Sequence, residues 1–481
     1  MPLIVDRHWI GGEWIEGSGE RVSLRSPIDR EHFAEVRLCS EVDASLAVTG
    51  AKRALGEAAD LDVAARANAL RALASELEGR SDEIALRITI ENGCPSRQSQ
   101  GLQVLSAVAL LRSFATLVED HQFEARRKGM RGGSISVQKV PVGVAVGISP
   151  WNVPIFLACM KIAPAIAAGC PLVLKPAPET ATSNFVLGEC VAMLDLPQGM
   201  LSVLTGSRDV GRALVSDARV AKVSFTGSLA GGREVASSCA ARFARLTLEL
   251  GGKSAAILLD DVDLAAALPG LLDATLQNNG QICGGQSRLL LPRARFDELA
   301  EALASAFRSR VVGDPRRENV DIGPLISSAQ AQRVRDMVAQ AKSQGARTLA
   351  GEDLPTGLPS DAYVAPTLLV GVDPDSQVAQ TEVFGPVIVA LPYDDEDDAV
   401  AIANSTPYGL AGSVWSPNAE RAMRLARRVR SGTVSLNSKK ILDFAGPFGG
   451  FGLSGIGREL GPEGIDAYLE HRCVLTSEPS P

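Results

Sequence analysis

Hydrophobic positions from residue 140 onward alternate between short apolar runs and longer segments with helical spacing. The runs are VGVAVGI (142–148), CPLVLKP (170–176), LSVLTG (201–206), VAKVSFTG (220–227) and LTLELGG (246–252). Their starts are roughly 20 to 30 residues apart, a spacing that predicts repeated βαβ units and a parallel sheet. Ligands of such sheets bind beyond the carboxyl ends of the strands.

A second α/β pattern extends from about 254 to 440. Its predicted strands are AAILL, SRLLLP, YVAPTLLV, PVIVALPY and GTVSLN, and its predicted helices cover 295–310, 327–345 and 418–430. The beginning of the chain differs, because WIGGEWI indicates a β-hairpin that turns at Gly11-Gly12. Alanine-rich segments from 42 to 117 follow and predict amphipathic helices.

Composition narrows the class of protein. A chain of 481 residues predicts two or three domains, and a net charge of -8 without basic runs argues against a nucleic-acid partner. The start lacks a basic stretch followed by an apolar one, so no signal peptide is predicted. Eight cysteines without a C-x-x-C pair favour a cytoplasmic setting and predict no metal site.

The longest uncharged window resembles a membrane span in length only. It lies between Lys139 and Lys161 and contains Pro141, Pro150 and Pro154. Proline interrupts a continuous helix, so the window predicts a strand, a loop and a helix. No membrane association is expected.

One cysteine stands in polar and glycine-rich surroundings, in NNGQICGGQSR (278–288). Free cysteine is usually buried among apolar residues, whereas Cys283 has only Ile282 as an apolar neighbour in this segment. The glycines allow another molecule to approach the backbone closely. This placement raises the question of a reactive role for Cys283.

Two further positions permit both a chemical and a structural interpretation. Glu249 ends an apolar strand, where burial raises the pKa of a carboxyl group and suits a proton acceptor, but a structural ion pair would also place it there. Asn152 lies between two prolines in SPWNVP, where its amide is a candidate donor to an oxyanion or a cap of the next helix.

The turn FTGSLAGG (225–232) joins a predicted strand to a predicted helix. Free N–H groups at such a turn suit a phosphate, but Gly227 and Gly232 lack the usual dinucleotide spacing, and Ser228 is equally explained as an N-cap. Lys175, at the end of its strand, is a ligand group or a surface lysine.

The segment TEVFGPV (381–387) places Glu382 and Phe384 just before another strand. Its glycine and proline are equally typical of an ordinary turn. Each of these signals is modest when taken alone.

In combination and order, the motifs resemble the aldehyde dehydrogenase superfamily. The resemblance covers nearly the whole chain and is carried by PWN, KPAPET, FTGS, LELGGKS, NGQICGGQSR, EVFGP and PFGGFGLSGIGRELG. It implies that Cys283 is the nucleophile, Glu249 the general base and Asn152 the oxyanion donor. A thiolate that must meet both an aldehyde and a nicotinamide ring needs small neighbours and free N–H groups, which explains the unusual cysteine.

The resemblance also implies NAD as cofactor, with NADP as the alternative. The cofactor-binding positions that it implies are Ser149, Trp151, Lys175, Glu179, Gly227, Ser228, Gly232, Gly251, Glu382 and Phe384. Many NAD-preferring relatives have glutamate three residues after the lysine, whereas this chain has Pro178 there and Glu179 next. We expect NAD to be preferred, since a carboxylate near the ribose repels a 2′-phosphate.

Other departures from the family pattern bear on the size of the substrate. Val153 and Met160 replace residues that are aromatic in many or some relatives, and Gly284-Gly285 follow the cysteine. These losses of bulk predict a wide apolar entrance for medium or bulky aliphatic, aromatic or terpenoid aldehydes, unless another side chain fills the space.

The expected fold class is α/β with three parts. A Rossmann-like parallel-sheet cofactor domain covers 1–118 and 139–249, an α/β catalytic domain covers 250–450, and a small β oligomerisation arm covers 119–138 and 451–481. The arm implies a homodimer or homotetramer. A CoA-acylating semialdehyde dehydrogenase and a catalytically idle nucleotide-binding structural protein are the alternative functions, and the presence of Glu249 argues against the first.

Overall fold

The computed structural model describes residues 2–477. Strands β1 to β21 are Leu3–Val5, Arg7–Ile10, Glu13–Glu16, Arg21–Arg25, His32–Arg37, Glu124–Lys128, Ser134–Pro141, Val144–Ile148, Leu172–Lys175, Leu201–Val203, Val220–Thr226, Arg245–Glu249, Ala255–Leu258, Arg288–Pro292, Arg347–Ala350, Thr367–Val370, Val387–Tyr393, Ala411–Trp415, Thr433–Leu436, Gly455–Ile456 and Leu469–Thr476. Helices α1 to α16 are Glu41–Asp60, Val63–Gly79, Ser81–Asn92, Ser96–Gln98, Ser106–Asp120, Pro154–Ala168, Ala181–Ala192, Arg208–Ser216, Leu229–Ala240, Leu264–Leu276, Phe296–Arg308, Ser328–Ser343, Gln377–Gln380, Glu396–Asn404, Ala419–Ala426 and Gly461–Asp466. The predicted α/β class is confirmed.

An eight-stranded sheet contains the first predicted series of strands, in the order β20-β12-β11-β8-β9-β10-β2-β3. The five strands from β12 to β10 are parallel. The chain moves outward from β8 in both directions, so the strand order reverses between β8 and β11. Such a switch point opens a crevice at the carboxyl ends of the strands.

The strand register brings these carboxyl ends level. Ile148 of β8 pairs with Lys175 of β9 and with Phe225 of β11, and Thr226 of β11 pairs with Glu249 of β12. Side chains and loops that follow these four strands therefore meet along one edge of the sheet.

A seven-stranded sheet forms the second α/β unit, in the order β15-β16-β17-β14-β13-β18-β19. Its strands are parallel except for β15. Strand β18, with the sequence AGSVW, was not among the predicted strands, because glycine and serine weaken the β pattern. It is nevertheless fully buried between β13 and β19.

Strands β6, β7 and β21 form a separate antiparallel sheet from the two segments assigned to the arm. The division into three parts stays a prediction, and two details differ from its boundaries. Strand β7 spans Ser134–Pro141 and crosses the boundary at 138/139, while β20, in the tail, pairs with β12 of the eight-stranded sheet. The remaining small sheet contains β1, β5 and β4.

The N-terminal hairpin and helices also agree with the predictions. Strands β2 and β3 are paired across Gly11 and Gly12, which both have positive φ. Within residues 2–477, one helical run, Ser96–Asp120, is long and apolar enough to cross a bilayer, but half of its most apolar window is buried in the protein. Its residues Leu110 and Phe114 lie in the main hydrophobic core, so it packs as a core helix.

The window 139–161 has the predicted composition of strand, loop and helix. It contains β8, a loop at 149–153 and the first half of α6, which is buried along its entire length. Complete burial explains why this segment is apolar on every face.

Glycine at position 455 is required for the pairing of β20 with β12. Its φ is +141°, and a Cβ atom there would lie 1.9 Å from the carbonyl oxygen of Leu248. Gly455→Ala should therefore lower the free energy of unfolding by about 3 kcal/mol through backbone strain and steric overlap. Thermal denaturation followed by calorimetry measures this effect. Gly446→Ala is the control, since a Cβ there meets nothing within 4 Å; equal losses in the two variants would contradict the prediction.

Candidate active site

A continuous cleft runs along the carboxyl edge of the eight-stranded sheet. It consists of two adjoining cavities of about 600 and 510 Å³. Both are lined by Pro150, Trp151, Thr226, Gly227 and Ser228. The 600 Å³ cavity lies over the ends of β8 and β9, and the 510 Å³ cavity lies between the two large sheets. The walls of these two cavities include most of the predicted site residues.

The loop that carries Cys283 is held in an unusual backbone conformation. Asn278, Asn279 and Gly280 have consecutive positive φ values of 50°, 59° and 74°. Asparagine tolerates this region better than other side chains do. Asn279 donates to the carbonyl oxygens of Gly93 and Pro324, both at 2.9 Å. These bonds fix the loop so that Cys283 lines the 510 Å³ cavity.

The Cys283 thiol is protonated at neutral pH in this environment. Burial raises its pKa to about 12, and the carboxyl groups of Glu382 and Glu249 add to the increase. The backbone N–H groups of Gly284 and Cys283 act in the opposite direction. A nucleophilic role therefore requires a group that accepts the thiol proton.

Asn152 lines the same cavity and is almost fully buried. Its Nδ2 donates to the carbonyl oxygen of Gln281 at 2.9 Å, which ties it to the cysteine loop. It does not cap α6, whose N-cap is Val153 without a side-chain hydrogen bond. The structural alternative considered for Asn152, a side-chain cap of the next helix, is therefore not observed.

The backbone around Asn152 is fixed by side chains that the sequence analysis did not identify. The carbonyl oxygen of Asn152 accepts hydrogen bonds from Asn278 at 2.8 Å, Asn92 at 3.2 Å and Gln103 at 3.4 Å. Asn92 and Gln103 come from separate helical segments and are fully buried. Only Gln103 gave a signal in the sequence, as an amide between Leu102 and Val104, because buried amides in proteins are hydrogen-bonded.

Glu249 ends β12 and is buried at the wall of the 510 Å³ cavity. Neither carboxyl oxygen has a hydrogen-bond partner among residues 2–477. The ion pair considered as the alternative role of Glu249 is therefore absent among the residues that the structure describes. Burial raises the pKa of Glu249 well above its usual value, the nearby Glu459 raises it further, and Lys161 and Arg458 lower it.

Behind Glu249 lies a buried ion pair that the sequence did not suggest. Lys161 of α6 donates to Glu459 at 2.6 Å, and Ser224 of β11 donates to the same oxygen at 2.7 Å. Lys161 interrupts an otherwise apolar helix, which was its only signal in the sequence. Its partner lies 298 residues away, and no local pattern indicates the contact.

The 600 Å³ cavity contains the predicted residues at the ends of β8 and β9. Ser149, Lys175 and Glu179 line it together. Lys175 is nearly buried, which lowers its pKa to about 8. The Ser149 Oγ is buried without a partner among the described residues, and the Glu179 carboxylate is exposed.

The turn after β11 uses its predicted residues in different ways. Gly227 and Ser228 line both cavities. The Ser228 Oγ accepts from the N–H of Gly231 at 3.2 Å, so it caps α9. Gly232 is absent from both cavity walls; a Cβ there would lie 2.6 Å from Leu250, so this glycine allows α9 to pack against the strand. The predicted cofactor contact of Gly232 thus has no support in its position.

Glu382, Phe384 and Trp151 line the 510 Å³ cavity opposite Glu249. Phe384 has φ of 59°, and its ring meets the Trp151 ring edge to face at 5.4 Å between centroids. A Cβ at Gly251 would lie 2.2 Å from the Glu382 carboxylate, so Gly251 provides the room for it. Burial raises the pKa of Glu382 to about 7.

The expected wide entrance is partly filled. Met160 is buried, and a Cβ at Gly284 would lie 2.8 Å from Ile441 Cδ1. Phe156 and Phe444 contact each other with ring centroids 6.2 Å apart. Ile441 therefore supplies bulk beside Gly284, next to Cys283.

Comparison with known proteins agrees with this geometry. A model described as the aldehyde dehydrogenase family matches residues 14–474. The chain is 39% identical over 469 residues to geranial dehydrogenase of Castellaniella defragrans, which covers 97% of this chain and 98% of the relative. It is 32% identical to betaine aldehyde dehydrogenase of Agrobacterium fabrum, over 98% and 96% of the two chains. The crystal structure of a Mycobacterium tuberculosis aldehyde dehydrogenase complexed with NAD⁺ superposes with a TM-score of 0.96 at 39% identity, covering 99% of both chains.

The raised pKa of Cys283 predicts a distinctive pH dependence of alkylation. Because only the thiolate reacts, modification of the cofactor-free protein by iodoacetamide should increase about tenfold per pH unit from pH 7 to 10 without a plateau. Peptide mass spectrometry measures it, with Cys473, which is exposed, as the internal reference for reagent activity. A plateau at pH 8 to 9 would contradict the prediction, and Cys283→Ser should remove the signal at that peptide.

Proposed function

This chain belongs to the aldehyde dehydrogenase family, and we propose that it oxidises an apolar aldehyde to the carboxylic acid through a covalent bond to Cys283. It is an NAD-dependent aldehyde dehydrogenase, as the family match and the NAD⁺ complexes of its structural relatives indicate. The observation that carries the finer proposal is the presence of Cys283, Glu249 and Asn152 in the wall of one cavity.

Formation of the covalent bond requires loss of the thiol proton. Glu249 has no hydrogen-bond partner within residues 2–477, so in its ionised form it is available to accept that proton directly or through water. The Cys283 sulfur then adds to the aldehyde carbon, and the carbonyl oxygen becomes negative. The Asn152 amide and the Cys283 N–H donate to this oxygen and stabilise the thiohemiacetal.

Bound NAD supplies the acceptor for the hydride that leaves the aldehyde carbon. The residues present fit this cofactor, since Lys175, Ser149 and the turn at Gly227 line the cavity next to that of Cys283. The protein is left with a thioester on Cys283. After releasing the thiol proton to solvent, Glu249 takes a proton from water, and the resulting hydroxide attacks the thioester carbon. The carbon–sulfur bond breaks, the carboxylic acid is released, and Glu249 returns the proton to the sulfur.

The two alternative functions have less support. A CoA-acylating enzyme passes the acyl group to another thiol and needs no base for water. In this protein a buried glutamate, without a hydrogen-bond partner among the described residues, lines the cavity of the cysteine. Burial of a carboxylate without a partner destabilises the folded state. A protein that only binds a nucleotide has no catalytic role to offset this cost. Hydrolytic aldehyde oxidation explains both the burial of Glu249 and its place in the cavity of Cys283.

The substrate that we propose is a medium or bulky apolar aldehyde. The hydrophobic core against which Cys283 packs contains Phe156 and Met160 of α6, and Ile282, Leu442 and Phe444 pack against the same core. These side chains would form an apolar wall for the substrate. Such a wall stabilises hydrocarbon chains in proportion to the area they bury. The similarity to a geranial dehydrogenase, whose name denotes a terpenoid aldehyde, supports the same class.

We also propose that the protein forms a homo-oligomer and acts in the cytoplasm. Strand β19 lies at the edge of the seven-stranded sheet, and the arm strand β21 exposes Val474 and Leu475. Open strand edges and exposed apolar residues favour pairing with another copy of the chain. Dimer and tetramer both satisfy this requirement.

Separate roles for Cys283 and Glu249 give a kinetic prediction. Cys283→Ala should abolish NADH formation, because no adduct can form. Glu249→Gln retains the shape of the side chain but cannot take a proton from water, so hydrolysis of the thioester should suffer most. If the thiolate still forms, that variant should give a burst of about one NADH per active site followed by slow turnover.

Rapid-mixing absorbance at 340 nm distinguishes the outcomes. NADH production by Cys283→Ala, or full steady turnover by Glu249→Gln, would contradict the assigned roles. Loss of both burst and turnover in Glu249→Gln would show that Glu249 also activates the thiol. Leu354→Ala, on an exposed loop, is the control for a surface change.

The apolar wall predicts the order of substrates. We expect octanal, benzaldehyde and geranial to have kcat/KM at least about tenfold above that of acetaldehyde, since each buried methylene contributes on the order of 1 kcal/mol. Ile441→Ala should favour the bulkiest aldehyde, because it empties the space above Gly284, and Val153→Phe should narrow the preference. Steady-state NADH formation measures the ratios. Equal or higher kcat/KM for acetaldehyde would contradict the proposed substrate class.

A further inference from the structure

One buried lysine near the active site takes no part in the proposed reaction. Lys253 lies in the loop between β12 and β13, four residues after Glu249, and its side chain is 1% exposed. Its Nζ has no hydrogen-bond partner among residues 2–477. Because burial of an unpaired ammonium group destabilises a folded protein, the position of Lys253 requires a compensating negative charge.

A second buried cation, Arg288 at the start of β14, shares a small cavity with Lys253. Its guanidinium group is held by backbone, since it donates to the carbonyl oxygens of Lys253 at 2.8 Å, Ile402 at 2.8 Å and Ala403 at 2.7 Å. The pKa of Lys253 is lowered to about 7, first by burial and then by the charge of Arg288, whereas Glu382 acts in the opposite direction. The compensating charge for Lys253 therefore lies on Glu382.

The Glu382 carboxylate rests on the two glycines that precede Lys253. The N–H of Gly252 donates to Glu382 Oε1 at 3.3 Å, and a Cβ atom at Gly251 would lie 2.2 Å from Oε2. The missing side chain at Gly251 thus lets the carboxylate approach the backbone that carries Lys253. One short segment therefore positions both the carboxylate and the lysine.

Arg333 of α12 is the other cation that acts on Glu382, but its guanidinium group is already bound. It donates to the carbonyl oxygens of Val383 and Glu382, both at 3.1 Å. Burial raises the pKa of Glu382 to about 7, while the Gly252 N–H, Lys253 and Arg333 lower it, in that order. Lys253 is thus the stronger of the two cations, and its charged group has no bond to a carbonyl oxygen among the described residues.

Two further titratable groups, Cys283 and Tyr408, line the 510 Å³ cavity together with Glu382. Burial is the main cause of the raised pKa of each, and the negative charge of Glu382 adds to it. An ionised Glu382 without a compensating cation would therefore oppose formation of the Cys283 thiolate. A positive charge behind Glu382 reduces this effect.

We propose that Lys253 is a positioning residue for Glu382: its ammonium group supplies the positive charge that keeps the Glu382 carboxylate ionised at the cavity wall. The inference rests on the proposed function, in which Glu382 is a predicted cofactor contact. An ionised carboxylate accepts hydrogen bonds from hydroxyl groups, such as those of a ribose, more strongly than a protonated carboxyl group does. Lys253 acts through this charge and does not line the cavity of Cys283.

Infrared spectroscopy of the cofactor-free protein tests the charge of Glu382 directly. The carbonyl stretch of its protonated carboxyl group, identified as the band that Glu382→Gln removes, is followed across neutral pH. Lys253→Met removes the cation, so the midpoint of the Glu382 titration should rise by about one pH unit. Lys253→Arg introduces a cation that keeps its charge when buried, so the midpoint should fall by about half a unit. Opposite shifts distinguish an effect of charge from an effect of packing.

Lys222→Met is the matched control. Lys222 of β11 is also 1% exposed, and burial lowers its pKa to about 8, but the charges that act on it come chiefly from Glu459 and Lys161. The Glu382 midpoint should therefore stay unchanged in this variant. Equal shifts in Lys222→Met and Lys253→Met, or shifts of the same sign in the two Lys253 variants, would overturn the assignment. Where Lys253→Met does not fold, Lys253→Arg decides alone, and a midpoint that does not fall overturns it.

Calorimetric titration with NAD relates the charge of Glu382 to cofactor binding. The affinity should increase about fivefold as the pH rises through the Glu382 midpoint, and in Lys253→Met this increase should occur about one pH unit higher. Shifted infrared midpoints with NAD binding that does not follow them would support the role of Lys253 and refute Glu382 as a cofactor contact. Absence of aldehyde oxidation in the unchanged enzyme would refute the proposed function and leave the infrared result readable.

Discussion

The hydrogen-bonded register of four parallel strands determines where the chemistry of this protein can take place. Pairing of Ile148 with Lys175 and with Phe225, and of Thr226 with Glu249, brings the ends of β8, β9, β11 and β12 to one level. A shift by one residue in any of these ladders would turn the terminal side chains to the other face of the sheet. The segments 149–153 and 227–232 therefore start from fixed positions, and residues of both line the cleft.

Burial controls the charge state of the groups that meet in this cleft. Cys283, Glu249 and Glu382 all have raised pKa values, and burial is the largest cause for each. Three negative charges in one cavity would repel each other, and this repulsion adds to the effect of burial in favouring the protonated form of each group. The buried pair of Lys161 and Glu459 maintains a fixed charge distribution behind Glu249. Burial therefore determines how readily these three groups release and accept protons.

Local patterns in the sequence were sufficient for the strands of the first sheet and for the residues at their carboxyl ends, because strand, turn and end residue are adjacent in the chain. They were insufficient where a contact joins distant segments. Lys161 meets Glu459 across 298 residues, and Ile441 fills the space left by Gly284 from another loop. The family resemblance implied a cofactor contact for Gly232, yet the absence of a side chain there allows packing against Leu250. The roles of Cys283, Glu249 and Asn152 came from resemblance, and their positions in one cavity are consistent with those roles.

The two large sheets contribute opposite ends to the cleft. Glu249 and Lys175 are the last residues of their strands, at the edge where the rule for parallel sheets places ligands, whereas Cys283 and Glu382 precede β14 and β17. Since β14 and β17 are neighbours, the cysteine loop and the turn at 382–386 must pack against each other. A Cβ at Gly280 would lie 2.3 Å from the carbonyl group of Gly385, so this contact depends on a residue without a side chain, at φ of +74°. Gly280, within the cysteine motif, therefore allows the two loops to pack against each other, and the glycine-rich sequence around Cys283 reflects this packing as well as the chemistry of the thiol.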